Sequence, residues 1–154
     1  MYAILQRHCS AYPVEIEKLF RLMVFNYVFS NGDAHLKNFS LCESIDGDYI
    51  LTPAYDLVCT SMHLPNEART ALDLFDDFES PFYSQNGFYG ADDLLQLGKV
   101  FGIQHHRAEA IIMRFADAQD RTVDLIERSF LSDEAKADYR HRLDDRLKAI
   151  CMAS

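Results

Sequence analysis

Between residues 14 and 30 apolar side chains crowd every turn of a helix: Ile16, Leu19, Phe20, Leu22, Met23, Val24, Phe25, Tyr27, Val28 and Phe29. A helix apolar nearly all round belongs inside a core, so this segment is expected to be the buried centre of the fold. Pro13 can open it, and Glu15, Glu17, Lys18 and Arg21 mark what reads as its exposed first turns. Residues 1–13 carry no clear pattern. Asn31-Gly32 breaks the helix.

The pattern then changes to short apolar runs. Residues 39–42 and 49–52 flank Asp46-Gly47 and predict a hairpin, with Pro53 ending its second strand. A loop is expected from Asp56 to Pro65, a further strand over 70–75, and an irregular acidic and aromatic excursion over 76–90. Residues 92–101 predict a helix closed by Gly102. Residues 104–130 predict one long helix or two joined, because Ala108, Ile111, Ile112, Phe115, Ala118, Val123 and Ile126 recur at three and four residues. Ser132 can cap a last helix that has Asp133 and Glu134 in its first turn. The fold class is therefore mainly α with a small β-hairpin. No repeat or linker divides the chain, so one domain over 1–154 is expected: a lead-in (1–13), a loop-bearing region (14–75) and a helical region (91–151).

Composition narrows this only modestly. Hydrophobic residues at 49% and charged residues at 25% are ordinary globular usage. No apolar run approaches the roughly 20 residues a membrane span needs, and no signal peptide is legible, so a cytoplasmic protein off the membrane is expected. Cys9, Cys42, Cys59 and Cys151 are scattered without a Cys-x-x-Cys, which disfavours a disulfide scaffold or a zinc site. A net charge of -9 argues against direct nucleic-acid binding through a broad basic face.

The candidate chemistry lies where the buried helix ends. Asp33 and Asn38 stand five residues apart in Asn31-Gly32-Asp33-Ala34-His35-Leu36-Lys37-Asn38-Phe39, and a second acid, Asp56, follows the hairpin. An Asn-Gly-Asp turn alone is commonly only a turn. The Asn at plus five and the acid returning after a hairpin give it the layout of a phosphoryl-transfer site. Asp33 would accept the proton of an attacking hydroxyl. Asn38 and Asp56 offer a neutral and an anionic oxygen to magnesium on ATP. Lys37 is a candidate to steady the transferred phosphoryl or else a solvated charge, and His35 a candidate to hold the loop through backbone hydrogen bonds. His105 and His106 are adjacent on a helix and so diverge by about 100°, which disfavours a shared metal ion.

Asn31-Gly32-Asp33-Ala34-His35-Leu36-Lys37-Asn38-Phe39-Ser40 with Leu51-Thr52-Pro53-Ala54-Tyr55-Asp56-Leu57 resembles the HipA family of bacterial toxin kinases, which carries Asp-x-His-x-Lys-Asn followed after a hairpin by Pro-Ala-Tyr-Asp-Leu. The resemblance covers residues 14–75. It implies the C-terminal lobe of a protein serine/threonine kinase, with Asp33 as catalytic base and Asn38 and Asp56 as magnesium ligands. It also implies a toxin whose partners are a protein substrate and a helix-turn-helix antitoxin. Nothing before Pro13 reads as a Gly-rich phosphate loop or a strand Lys. The expected N-terminal lobe is thus absent from this stretch, a separate N-lobe polypeptide is one source for it, and little activity is expected from the 154 residues alone. Two other readings stay open. One is a small-molecule or lipid phosphotransferase, disfavoured because Asp56 lies in a Tyr-Asp-Leu context and the chain has no Trp. The other is a non-catalytic antitoxin-binding module, with Asp73, Asp76, Asp77 and Glu79 among Phe75, Phe78, Phe82 and Tyr83 as a docking patch; a solvated loop pinned by aromatics is the simpler account of that run.

Overall fold

The computed structural model describes residues 1–64, 67–75 and 80–151. The expected buried helix is α2 (Tyr12–Val28), with Pro13 in its first turn. Around it, in chain order, stand α1 (Tyr2–His8), the hairpin β1 (Leu41–Glu43) and β2 (Tyr49–Leu51), α3 (Pro81–Asn86), α4 (Ala91–Val100), α5 (His105–Asp117), α6 (Gln119–Glu127) and α7 (Asp133–Cys151). Among the described residues the fold is mainly helical with one two-stranded antiparallel sheet, in the register Leu41 to Leu51, Cys42 to Ile50 and Glu43 to Tyr49. No described helix is long and apolar enough to cross a membrane.

One stripe of α2, comprising Ile16, Leu19, Phe20, Val24, Tyr27 and Val28, is buried against α1, α5, α7 and β2. Phe20 is fully enclosed. Side chains on its other face, Leu22, Phe25 and Phe29, are only partly covered, so the helix is not buried all round. Glu15 corrects the expectation of exposed first turns: it is 2% exposed. Its carboxylate accepts from the Leu51 amide at 2.8 Å and pairs with Lys18 at 2.6 Å, which satisfies both a buried backbone donor and a buried acid. The hairpin is tied down a second time by Asp48, whose carboxylate accepts from the Ser10 amide at 2.9 Å.

Three further expectations are corrected. Residues 2–8 form a helix that was not legible, held by Leu5 in the core and by stacking of Tyr2 on Phe101 at 5.1 Å. Residues 70–75 form no strand: Leu72 and Leu74 pack singly onto the core, and the Leu74 amide is satisfied by the Tyr89 hydroxyl at 3.2 Å instead of by a neighbouring strand. The stretch 76–90 is not wholly irregular, since α3 lies in it, capped by the Ser80 hydroxyl and ended by Gly87 at φ 70. Within that stretch Phe82 meets Phe88 at 5.6 Å and Tyr83 meets Tyr89 at 4.5 Å, so these aromatics pack on one another. Asp76, Asp77, Phe78 and Glu79 of the acidic run, and Pro65 of the earlier loop, lie outside the described residues.

The C-terminal half follows the pattern. Gly102 closes α4 at φ 72, α5 and α6 are two helices joined at Ala118, and the Ser132 hydroxyl accepts from the Ala135 amide at 3.2 Å at the head of α7. Burial on α7, with Cys59 nearby, pushes the Tyr139 hydroxyl up to about 12. The unfolded chain releases that proton near pH 10, its usual value, so the stabilisation is complete below about pH 10 and is lost as pH rises through about 12. Unfolding followed between these values should therefore show stability falling with pH, and Tyr139→Phe should flatten the slope. Tyr27 and Tyr89 are pushed upward by burial too and leave a residual slope.

Candidate active site

Two loops meet at the C-terminal end of α2. The first leaves the helix through Ser30, a buried residue in the left-handed region at φ 55, and runs to a single 3-10 turn, Leu36–Asn38. The second leaves β2 through Pro53 and carries Asp56, also left-handed at φ 56. A non-glycine residue held at positive φ costs on the order of 1 kcal/mol or more and persists where its surroundings fix it. Here the surroundings are hydrogen bonds between the loops. The Asn31 amide donates to the backbone carbonyl of Asp56 at 2.8 Å and to Asn26 Oδ1 at 3.2 Å. Tyr55 donates its hydroxyl proton to the Lys37 carbonyl at 2.7 Å and lies the same distance from the Ser40 hydroxyl.

Asn38 and Asp56, eighteen residues apart, are brought into contact: Asn38 Nδ2 donates to Asp56 Oδ2. Asn38 is buried, and its Oδ1 is a buried acceptor with no hydrogen-bond partner. A buried carbonyl oxygen left unpaired beside a carboxylate is what a hard cation needs from a protein that supplies only part of its coordination shell. The donor set of these two residues therefore fits a hard cation such as magnesium. No group of three or more His, Cys, Asp or Glu side chains suited to a metal occurs among the described residues.

Asp33, His35 and Lys37 all point to solvent from the same loop, and their side chains make no hydrogen bond or ion pair among the described residues. For Asp33 and Lys37 that leaves the charged groups free to meet a substrate. For His35 it differs from the expected bonds to backbone: the loop is held by Asn31, Tyr55 and Thr60 instead. His105 and His106 sit exposed at the start of α5, away from this cluster.

Several residues that hold the site were not legible. The Thr60 hydroxyl accepts from the Gly32 amide at 2.8 Å and donates to the Glu67 carboxylate, so the segment after Asp56 closes on the loop bearing Asp33. From the far end of the chain, α7 presents two adjacent residues. Asp145 pairs with Arg69 at 2.7 Å, and Arg146 Nε donates to the Ser30 hydroxyl at 3.2 Å with its guanidinium 5.2 Å from the Tyr27 ring. Arg146 is almost wholly buried; that burial, with Arg69 close by, pushes its guanidinium below its usual value. It braces the left-handed joint at Ser30 from 116 residues away, a distance no local pattern reveals.

The comparisons with known proteins bear on this arrangement. The family model described as HipA-like C-terminal domain matches residues 1–123, which includes both loops and stops short of α7. A protein of Haemophilus influenzae named "Putative kinase" is 27% identical over 134 residues, covering 81% of this chain and 39% of its own length. "Putative kinase Y4dM" of Sinorhizobium fredii is 38% identical over 58 residues, 38% of this chain and 14% of its own length. Among solved structures, HipA in a complex with HipB and its operator DNA from Shewanella oneidensis superposes with a TM-score of 0.76 at 22% identity, covering 97% of this chain and 34% of that one. That likeness concerns the fold. The chain spans well under half the length of each of these proteins.

Proposed function

The chain belongs to the HipA-like C-terminal domain family, and from that premise we propose that it is the catalytic lobe of an ATP- and magnesium-dependent protein serine/threonine kinase that works with a nucleotide-clamping lobe. The observation that carries this reading is the Asn38 and Asp56 pair, with one unpaired buried oxygen and one carboxylate side by side at the mouth of the loop bearing Asp33.

In this reading Asp33 orients the acceptor hydroxyl and takes its proton as that oxygen bonds to the terminal phosphorus of ATP, while the bond from that phosphorus to the bridging oxygen breaks and ADP leaves. Asn38 Oδ1 and the Asp56 carboxylate would hold magnesium, which when bound neutralises charge on the phosphate oxygens. Lys37, exposed between Asp33 and Asn38 in sequence, meets the transferred phosphoryl group. Tyr55 and Asn31 keep the two loops in register, so the base and the metal ligands stay fixed relative to each other. ATP requires contacts that these loops do not supply, and the clamp is assigned to a lobe outside these residues. A HipB-like antitoxin is the partner this reading adds, by analogy with the Shewanella complex. The net charge of -9 gives no reason to place DNA on this chain.

The test is a chimera in which this chain replaces the matching region of the Haemophilus influenzae relative. ATP should phosphorylate a protein acceptor, and aminoglycoside and phosphoinositide acceptors should stay unlabelled. Transfer to either small acceptor in preference to protein would contradict the assignment.

A further inference from the structure

The partly covered face of α2 is continuous with an exposed apolar groove. One cavity of about 530 Å³ lies between α2, the end of β2 and the segment 53–57. A second of about 310 Å³ continues it between α2 and α5. Phe25 and Phe115 line both cavities. Their rings meet at 6.3 Å, and Phe29 packs on Phe25 at 4.4 Å, so the groove has a preformed aromatic floor. Leu57, 42% exposed and next to Asp56, forms its far end. Along α2 the groove runs from Lys18 to Phe29, about 17 Å at helical rise, which is three turns of a helix laid alongside.

Charge sets this face apart. The chain has 24 acidic residues against 15 basic ones, yet the residues lining these two cavities include Lys18, Arg21 and Arg114 and not one Asp or Glu. Lys18 is already paired with Glu15. Arg21 and Arg114 are exposed and in no ion pair or side-chain hydrogen bond among the described residues, and they stand on opposite walls, one on α2 and one on α5. Glu17, one turn before Arg21 on α2, feels its charge, and neither guanidinium is held in an ion pair among the described residues. An apolar trough between two helices, edged by exposed guanidiniums on an otherwise acidic protein, matches one kind of occupant in both shape and sign.

We propose that this groove binds an acidic amphipathic helix of a partner protein, seated with its apolar face on Phe25 and Phe115 and its carboxylates opposite Arg21 and Arg114. Asp33 lines neither cavity, and the binding proposed does not require phosphoryl transfer. A second copy of this chain is the less favoured occupant, because its excess of acidic residues is not gathered on one described apolar helix of matching length.

The chain has no tryptophan, so a synthetic helical peptide of about 15 residues carrying one Trp reports its own burial without background. Two such peptides share one apolar face and differ only in Glu or Lys flanks. The Glu peptide should show a saturable blue shift on titration with the chain and bind at least about tenfold tighter than the Lys peptide. In the variant Arg21→Glu with Arg114→Glu, two surface changes that leave the core intact, the order should reverse. Equal binding of the two peptides, no shift with either, or an unchanged preference in the double variant would overturn the proposal. A concentration-dependent dimer in sedimentation that the double variant abolishes would assign the groove to a second copy, and would equally overturn it.

Discussion

Asp33→Asn in the chimeric kinase should lower the rate of phosphoryl transfer by about two to four orders of magnitude while leaving the melting temperature unchanged. The expectation rests on where Asp33 stands. Its carboxylate reaches solvent from a loop fixed on both sides, by the Thr60 hydroxyl on the Gly32 amide and by Tyr55 on the Lys37 carbonyl. It makes no side-chain bond within the described residues, so removing its charge breaks nothing in the fold. What is lost is the acceptor for the hydroxyl proton, and an amide of the same shape cannot take that proton. A base should affect the rate far more than the affinity for nucleotide, so kcat should fall and nucleotide binding should stay the same. A variant with near-normal kcat would remove Asp33 from the role of base.

The second large effect is predicted at Gly32. Its φ lies outside the left-handed region, so the backbone alone would accept any residue. Space is what forbids one. A Cβ there would stand 2.6 Å from Glu67 Cδ and 2.7 Å from the carbonyl oxygen of Ala68. The carboxylate could swing aside, but the Ala68 carbonyl belongs to the backbone, so the segment following Asp56 must move bodily. That movement pulls Thr60 from the Gly32 amide and opens the contact between the two loops. Overpacking of this kind costs about 1 to 3 kcal/mol, which for a chain of this size is a fall of roughly 3 to 9 °C in Tm. Adding Glu67→Ala to Gly32→Ala should restore only part of the loss, because the Ala68 carbonyl remains. An unchanged Tm in Gly32→Ala would show that the close approach is not a constraint.

Local signals in the sequence predicted the elements that depend on local chemistry. The apolar run of α2, the Asp46-Gly47 turn, the Gly102 stop and the Ser132 cap each act within a few residues, and each stands where its pattern placed it. Misreadings came where tertiary packing overrode local pattern. Leu72 and Leu74 alternate as in a strand, but both pack partly buried against the core, and no strand among the described residues lies alongside to pair with them. Helix α1 is too short to show a period and is held by contacts its own seven residues do not announce. Ser80-Pro81 and Asn86-Gly87 did bracket α3, and the acidic composition around them obscured it. Glu15 read as a surface charge because its partner, the Leu51 amide, lies 36 residues away.

The candidate site divides along the same line. The spacing of Asp33, Asn38 and Asp56 was legible, since a loop, a hairpin and a return are all short-range. The residues that make this spacing into a geometry were not. Thr60 and Glu67 close the loop from one side, and Arg146 braces Ser30 from α7, a helix beyond the region that the family model matches. The bonds from Thr60 to the Gly32 amide and from Arg146 to Ser30 carry no sequence signature, because they join residues 28 and 116 positions apart.

In the proposed reading Asn38 and Asp56 together hold magnesium. Manganese substitutes for magnesium and broadens the NMR signals of nuclei close to it. Titration of the labelled chain with Mn2+ and an ATP analogue should broaden the Asn38 side-chain amide and the Asp56 backbone amide first, and Asp56→Asn should abolish that selectivity. Broadening spread over the acidic surface, equal in the wild-type chain and in the variant, would contradict it.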